Sequence, residues 1–203
     1  MHRFVVLVVL TLAPAFASLA NAATWDLDPA HTNVQFGVRH LMVSTVRGQF
    51  RAVRGRADID EGDPTKSSVE VTIDAASIDT REPKRDDHLR GPDFFDVAKY
   101  PSITFKSKKV TKVGADKFQV SGDLTIRGVT KEVVLDVEGS PQPLKDPFGN
   151  TRLGGGAHTK INRQDFGITW NKALDSGGLV VGDTVDITID VELTKTAAAG
   201  EGK

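Results

Sequence analysis

Cysteine is absent from all 203 residues. That excludes a disulfide framework, a thiolate metal site and a lipid-modified cysteine, so the fold rests on packing alone. Aromatics are scarce, at ten Phe, two Trp and one Tyr. There is no basic surplus either: 26 Lys and Arg stand against 27 Asp and Glu, and a nucleic-acid partner, which calls for a basic stripe, is not expected. A His-Glu-x-x-His spacing, a Gly-x-Ser-x-Gly elbow and a phosphate-binding glycine loop are all missing, which removes common routes to metal hydrolysis, acyl transfer and phosphate chemistry. Asp165, Phe166 and Gly167 spell a kinase triplet without the catalytic loop that gives it meaning. The expectation is no catalytic residue, no metal and no cofactor.

Only one long apolar run is present. After Met-His-Arg the chain reads FVVLVVLTLAPAFASLA and ends Ala20-Asn21-Ala22. A basic start, a short apolar stretch and an Ala-x-Ala ending have the form of a secretory leader cut after Ala22. The run is short for a membrane span of about 20 residues and has no basic stop-transfer flank. The expected product is a periplasmic or secreted protein, with one domain over residues 23–195 and a flexible polar tail over 196–203.

The remaining apolar side chains alternate. Val34, Phe36 and Val38 lie between Asn33, Gln35 and Arg39; Val69, Val71 and Ile73 lie between Glu70, Thr72 and Asp74. The same period recurs at Ile103 and Phe105, at Phe118, Val120, Leu124 and Ile126, at Val133, Leu135 and Val137, and from Val185 to Leu193. Successive side chains of a strand point to opposite faces, so each run predicts a strand with one dry side. A further strand from Arg47 to Ile59 changes phase at Ala52 and Val53, as a β-bulge would make it. The glycine-rich run from Leu153 to Ile161 completes eight strands; its Gly154 to Gly156 suit close backbone approach better than a phosphate cradle. Gly128 marks a tight turn.

Links such as EGDPTK, VGA and RGV are short, which predicts antiparallel neighbours. No amphipathic helices could cover the dry faces, so these cover each other, and closure into a barrel also removes sticky edges. The expected architecture is all-β: an extended eight-stranded antiparallel lipocalin-like barrel with a short helical crossing. Its inward set is rich in Val, Ile, Ala and Gly, leaving room for a chain-like apolar ligand.

The crossing is the stretch EPKRDDHLRGPDFFDVAKYP, Glu82 to Pro101. One or two helical turns over Lys84 to Arg90 would let Asp86 pair with Arg90. Adjacent Phe94 and Phe95 point in different directions, one plugging the barrel end and the other free to touch a bound chain. Arg85 and His88, with Arg127 and Arg163 near strand ends, are the candidates for a polar or anionic head group, since a guanidinium matches phosphate with two parallel hydrogen bonds. The apolar pocket is expected to use Phe36, Val38, Phe94, Phe95, Phe105, Phe118, Leu124 and Ile126. Two rivals stand beside a binding role: an enzyme using His88, Asp86 or Asp87 as acid or base, and an interaction module with a filled barrel.

Four blocks carry a resemblance: WDLDPAHTNVQFGVRHLMVSTVRGQF, RDDHLRGPDFFDVAKYPSITFKS, GDLTIRGVTKEV and INRQDFGI. Together, in this order, they are similar to the signature blocks of the YceI-like, polyisoprenoid-binding proteins. The resemblance implies a lipocalin-like barrel in the bacterial periplasm that binds a long isoprenoid chain, such as a polyprenyl phosphate or a quinone tail. It marks Arg85, Asp86, His88, Leu89, Phe94, Phe95, Tyr100, Pro101, Arg163 and Phe166 as characteristic positions. The expected partner is an isoprenoid lipid; a transient membrane contact and a homodimer are left open.

Overall fold

The computed structural model describes residues 22–139, 142–174 and 177–196. The expected leader, apart from Ala22, and the expected tail beyond Thr196 lie outside the described residues.

Alternation translates into one continuous antiparallel sheet. Its longer strands are β1 (Ala22–Leu27), β2 (Asn33–His40), β3 (Ser44–Phe50), β4 (Val53–Asp60), β5 (Ser68–Asp74), β7 (Ser102–Lys112), β8 (Lys117–Ile126), β9 (Val129–Glu138), β11 (Thr151–Asn162) and β12 (Val181–Lys195). The two-residue strands β6 (Ile78–Asp79) and β10 (Leu144–Lys145) extend it. Pairing of β11 with β12 closes the sheet on itself. Three pairs of consecutive strands act as single staves: β1 with β2 along one edge of β12, β3 with β4 opposite them, and β5 with β6 beyond. The result is the eight-staved antiparallel barrel that the periodicity predicts.

The expected bulge at Ala52 and Val53 is a break between β3 and β4. Phe50 and Val53 are both buried, so the change of phase keeps the apolar side inward while the stave bends. Phe50 stays opposite Val34, whereas Val53 has moved opposite Ile73. The glycine run on β11 serves backbone approach, as expected. A Cβ added at Gly139 would meet the Gly154 carbonyl oxygen and the Gly155 Cα at 2.8 Å each. Here β11 meets β9 over only three register pairs, Gly156–His158 against Asp136–Glu138. Beyond them the Thr159 hydroxyl donates to the Val134 carbonyl at 2.8 Å, so a side chain continues the seam.

The staves end at different heights. β7 begins at Ser102, paired with Asp74, whose N–H donates to the Ala52 carbonyl just past β3, while β2 and β12 run on to the His40–Val181 pair at a lower rim. The gap beside β6 is filled by α1 (Pro83–Arg90), started by Pro83 and capped by the Glu82 carboxylate on the Lys84 N–H. Arg90 of α1 donates to the Ala76 and Ile78 carbonyls at 2.8 and 2.9 Å, covering an edge that would otherwise be unpaired. At the opposite, upper end Trp25 is completely buried.

Candidate functional site

The inner faces of the staves do not meet. They leave a cavity of about 610 Å³, walled by Val, Ile, Leu and Phe, within the usual ~300–1,000 Å³ of small-molecule sites. The barrel is therefore hollow, against the filled-barrel alternative. β12, at 15 residues, spans roughly 38 Å along the axis for a ~3.3 Å rise and ~40° tilt, so the space is elongated. All eight residues expected to form the apolar pocket line it: Phe36, Val38, Phe94, Phe95, Phe105, Phe118, Leu124 and Ile126.

The Glu82–Pro101 crossing roofs the lower end with two aromatic groups. Phe94 is buried and packs on Trp170, ring centroids 5.3 Å apart. His88 stands edge-on to both, at 5.0 and 5.1 Å. Phe95 turns the other way and meets Phe50 edge-on at 5.7 Å, and Phe50 in turn meets Phe36 at 5.8 Å. The two adjacent phenylalanines diverge as expected, but both border the cavity. Trp170 and His40 are lining residues that sequence reasoning did not single out. His40 could have been found by extending the inward phase of Val34, Phe36 and Val38 one step; Trp170 lies in a connection without period and gave no such signal.

The four head-group candidates separate into two pairs. Arg85 borders the cavity; its Nε donates to the Thr80 hydroxyl at 2.8 Å and its Nη2 to the Thr80 carbonyl at 3.0 Å. Its Nη1 has no acceptor among the described residues. His88 also borders the cavity, with Nε2 2.9 Å from the Asp93 carboxylate. The other two lie near strand ends, as expected, with their guanidinium groups bonded mainly to backbone carbonyls. Arg127, in the left-handed turn before Gly128, donates to the Gly167 carbonyl at 2.7 Å and the Pro92 carbonyl at 2.8 Å, tying three loops together outside the cavity lining. Arg163 is 4 % exposed, and every N–H-bearing nitrogen of its guanidinium is engaged: with the carbonyls of Gly182, Ile168, Trp170 and Val181 and with the Asp183 carboxylate. It touches the cavity wall but holds the chain rather than a ligand.

The groups offered to the enzyme rival are likewise engaged. Asp86 is buried, and one oxygen accepts from both the N–H and the hydroxyl of Thr80, at 2.9 and 2.5 Å. The Asp86–Arg90 pair expected along the helix does not form; Arg90 pairs with exposed Asp87 at 3.0 Å.

One acidic cluster lies elsewhere, near the upper end. Asp28, His31 and Glu192 come together, but the Arg152 guanidinium sits among them, 2.7 Å from Asp28, 2.7 Å from Asp146 and in contact with Glu192. The carboxylates a cation would use already share the Arg152 guanidinium. Arg152 holds Asp28 and Asp146 well below the usual carboxylate range, and the Asp28 hydrogen bond raises His31 above its ordinary value. The two depressed carboxylates stabilise the fold above their unfolded values near pH 4, and that contribution is lost as pH falls toward their folded values. His31 acts in the opposite sense, contributing below about pH 6.5 and losing its contribution as pH rises through its raised value. In thermal denaturation below about pH 4, the parent should lose melting temperature more steeply than Arg152→Gln. Parallel curves would show that the cluster does not couple to folding.

A closed antiparallel barrel around an elongated apolar cavity, roofed at one end by a short helix, defines a lipocalin-like cavity-bearing barrel. More narrowly, a model of the YceI-like domain matches residues 25–193, and the chain belongs to that family. A UPF0312 protein of Pectobacterium carotovorum is 40% identical over 158 residues, 78% of this chain and 81% of the relative. Among solved structures, the Campylobacter jejuni YceI protein is similar with a TM-score of 0.67 and 34% identity, covering 78% of this chain and 90% of its own. A polyisoprenoid-binding domain from Saccharophagus degradans, implicated in plant cell wall breakdown, shares the fold with a TM-score of 0.63 at 19% identity, covering 87% of this chain and all of that one.

Proposed function

We propose that this protein is an exported, non-enzymatic carrier or sequestering protein that holds a long isoprenoid chain, of polyprenyl phosphate or quinone type, inside the barrel. The observation that carries the reading is the hollow, elongated interior of about 610 Å³ with an almost wholly apolar wall. Burial drives the binding: each methylene removed from water contributes ~0.8 kcal/mol, so a chain of several isoprene units needs no polar contact to be held tightly. The leader-like residues 1–22 support export, and the fold shared with the Saccharophagus polyisoprenoid-binding domain supports the ligand class.

Arg85 then orients rather than anchors. Arg85 borders the cavity and its Nη1 is uncommitted among the described residues, so it is available to an anionic head group while the tail fills the tube. Calorimetric titration with a prenyl phosphate and a prenyl alcohol of the same length tests both halves. Both should bind, and Arg85→Ala should weaken the phosphate about tenfold, one charged hydrogen bond's worth, with the alcohol unchanged. If neither lipid binds the parent, the carrier reading fails. Equal weakening of both would make Arg85 a structural residue.

A further inference from the structure

The turn joining β2 to β3 is built against its own preferences. His40 and Ser44 form the last register pair, and the Val43 N–H donates to the His40 carbonyl at 3.0 Å. Between them Leu41 has φ 52° and Met42 φ 58°. Two successive left-handed residues make the turn type favoured by Asn-Gly, because side chains larger than those crowd the backbone there. Here the positions hold leucine and methionine, and the side chains gain little burial in return: Leu41 is 37%, Met42 64% and Val43 80% exposed. Leu179, 41% exposed, joins them, since the Leu41 N–H donates to the adjoining Val180 carbonyl at 2.9 Å.

Positive charge frames this apolar tip. The Arg39 guanidinium donates to the Met42 carbonyl at 2.7 Å and to the Thr45 hydroxyl at 3.2 Å, which braces the turn and sets a cation beside it. Arg47 follows on β3, and Lys172 leads the facing strand of the connection, where its carbonyl accepts from Val180. No carboxylate occurs from Arg39 to Arg47; the facing connection carries one, Asp175, which lies outside the described residues. The whole chain is slightly acidic, with formal charge −1, so this basic rim is a local arrangement.

We propose that the Leu41–Val43 turn is a membrane-docking tip that inserts its apolar side chains into an anionic bilayer surface. An apolar tip flanked by Arg and Lys matches the interface, where the apolar part enters the acyl boundary and cations meet lipid phosphates. A three-residue tip is far too small for a stable protein interface, which needs about 1,000 Å² or more. Its position gives the docking a use, and this part rests on the carrier reading: His40, Val180 and Val181 of the same rim line the cavity. Docking brings that rim to the bilayer, so that a prenyl chain passes between membrane and barrel with little exposure to water. A second exposed apolar tip, Phe148 at the upper end, sits in a relaxed turn with Pro147 and left-handed Gly149, beside the Asp146 and Asp28 carboxylates; it lacks both the strain and the basic frame.

The test uses the protein without its leader and vesicles of phosphatidylethanolamine with phosphatidylglycerol, against vesicles of phosphatidylcholine alone. Co-sedimentation should favour the anionic vesicles. Leu41→Asn combined with Met42→Gly installs the preferred turn residues; it should weaken vesicle binding about tenfold while the melting temperature holds or rises. Binding of a prenyl alcohol in solution, measured on the same samples, should be unchanged, which separates failure of docking from failure of the carrier reading. The proposal is overturned if the parent does not sediment with anionic vesicles, or if the double variant binds them like the parent. It is equally overturned if the variant melts lower, which makes the tip a packing element, or if a parental dimer dissociates in the variant, which gives the surface to a second copy.

Discussion

Ala157→Trp is expected to leave the barrel folded and to deprive it of its ligand. Ala157 lies on β11 opposite Ile189 and Val137 and lines the cavity midway along the tube. In a filled core an indole in place of a methyl group would overpack and cost ~1–3 kcal/mol or more. In a hollow core the ring enters empty space and covers apolar wall, so the melting temperature should hold. The bound chain then loses room. Displacing one five-carbon unit forfeits about 4 kcal/mol at ~0.8 kcal/mol per carbon, about three orders of magnitude in affinity. Titration of a prenyl alcohol into parent and variant reads the loss, and a thermal scan reads the fold. A variant that binds normally would place the ligand elsewhere; one that unfolds would mean the interior is effectively full.

The second large effect falls on stability. Arg163→Leu should destabilise the fold by ~3–5 kcal/mol, the usual cost of removing one member of a buried, hydrogen-bonded charge network. Leucine fills part of the space but leaves the Asp183 carboxylate without its cation and takes a side-chain donor from the carbonyls of Gly182, Ile168 and Trp170; Val181 keeps its bond from Asn171. At ~2–4 °C per kcal/mol for a domain of this size, the melting temperature should fall by roughly 10 °C. Arg163→Lys should recover only part of it, because a single ammonium cannot reach acceptors spread from Ile168 to Gly182. A head-group role would give the reverse pattern: normal melting with weakened binding of prenyl phosphate.

That reversal marks where the sequence stops being legible. Alternation of apolar and polar residues locates the staves because a half-buried strand must have period two, and Phe36, Phe105 and Leu124 could be assigned to the interior from it. β1 carries only Trp25 and Leu27 as inward apolar residues, and β6 and β10 have two residues each, too short for any period. Arg163 is illegible for a different reason. The chain wraps through the 3-10 turn Arg163–Phe166 and left-handed Gly167, so that carbonyls distant in sequence converge on one guanidinium. No spacing rule reports such a convergence. Trp170 is hidden in the same connection. Leu41 and Met42 read simply as an interruption between strands, and only their backbone angles reveal that they are held apolar at a conformational cost.

The crossing from Glu82 to Pro101 was more open to reading. Its clustered charges and its Phe pair mark a break in the strand pattern, and the structure sets Phe94 and Phe95 over the cavity with Arg85 and His88 beside them. Local pairing was less predictable. Whether Asp86 or Asp87 meets Arg90 depends on which face of α1 is pressed against Thr80, and that is decided by β6 and the roof rather than by helix spacing.

The central claim is that the hollow barrel exists to hold an isoprenoid chain. Native mass spectrometry of the protein purified without detergent, run beside Ala157→Trp purified identically, addresses it most directly. The parent should carry an adduct that leaves with organic solvent and has the mass of an isoprenoid lipid, and the variant should carry none. A parent that is bare and cannot be loaded with any prenyl lipid, or an adduct retained equally by the variant, would contradict the account.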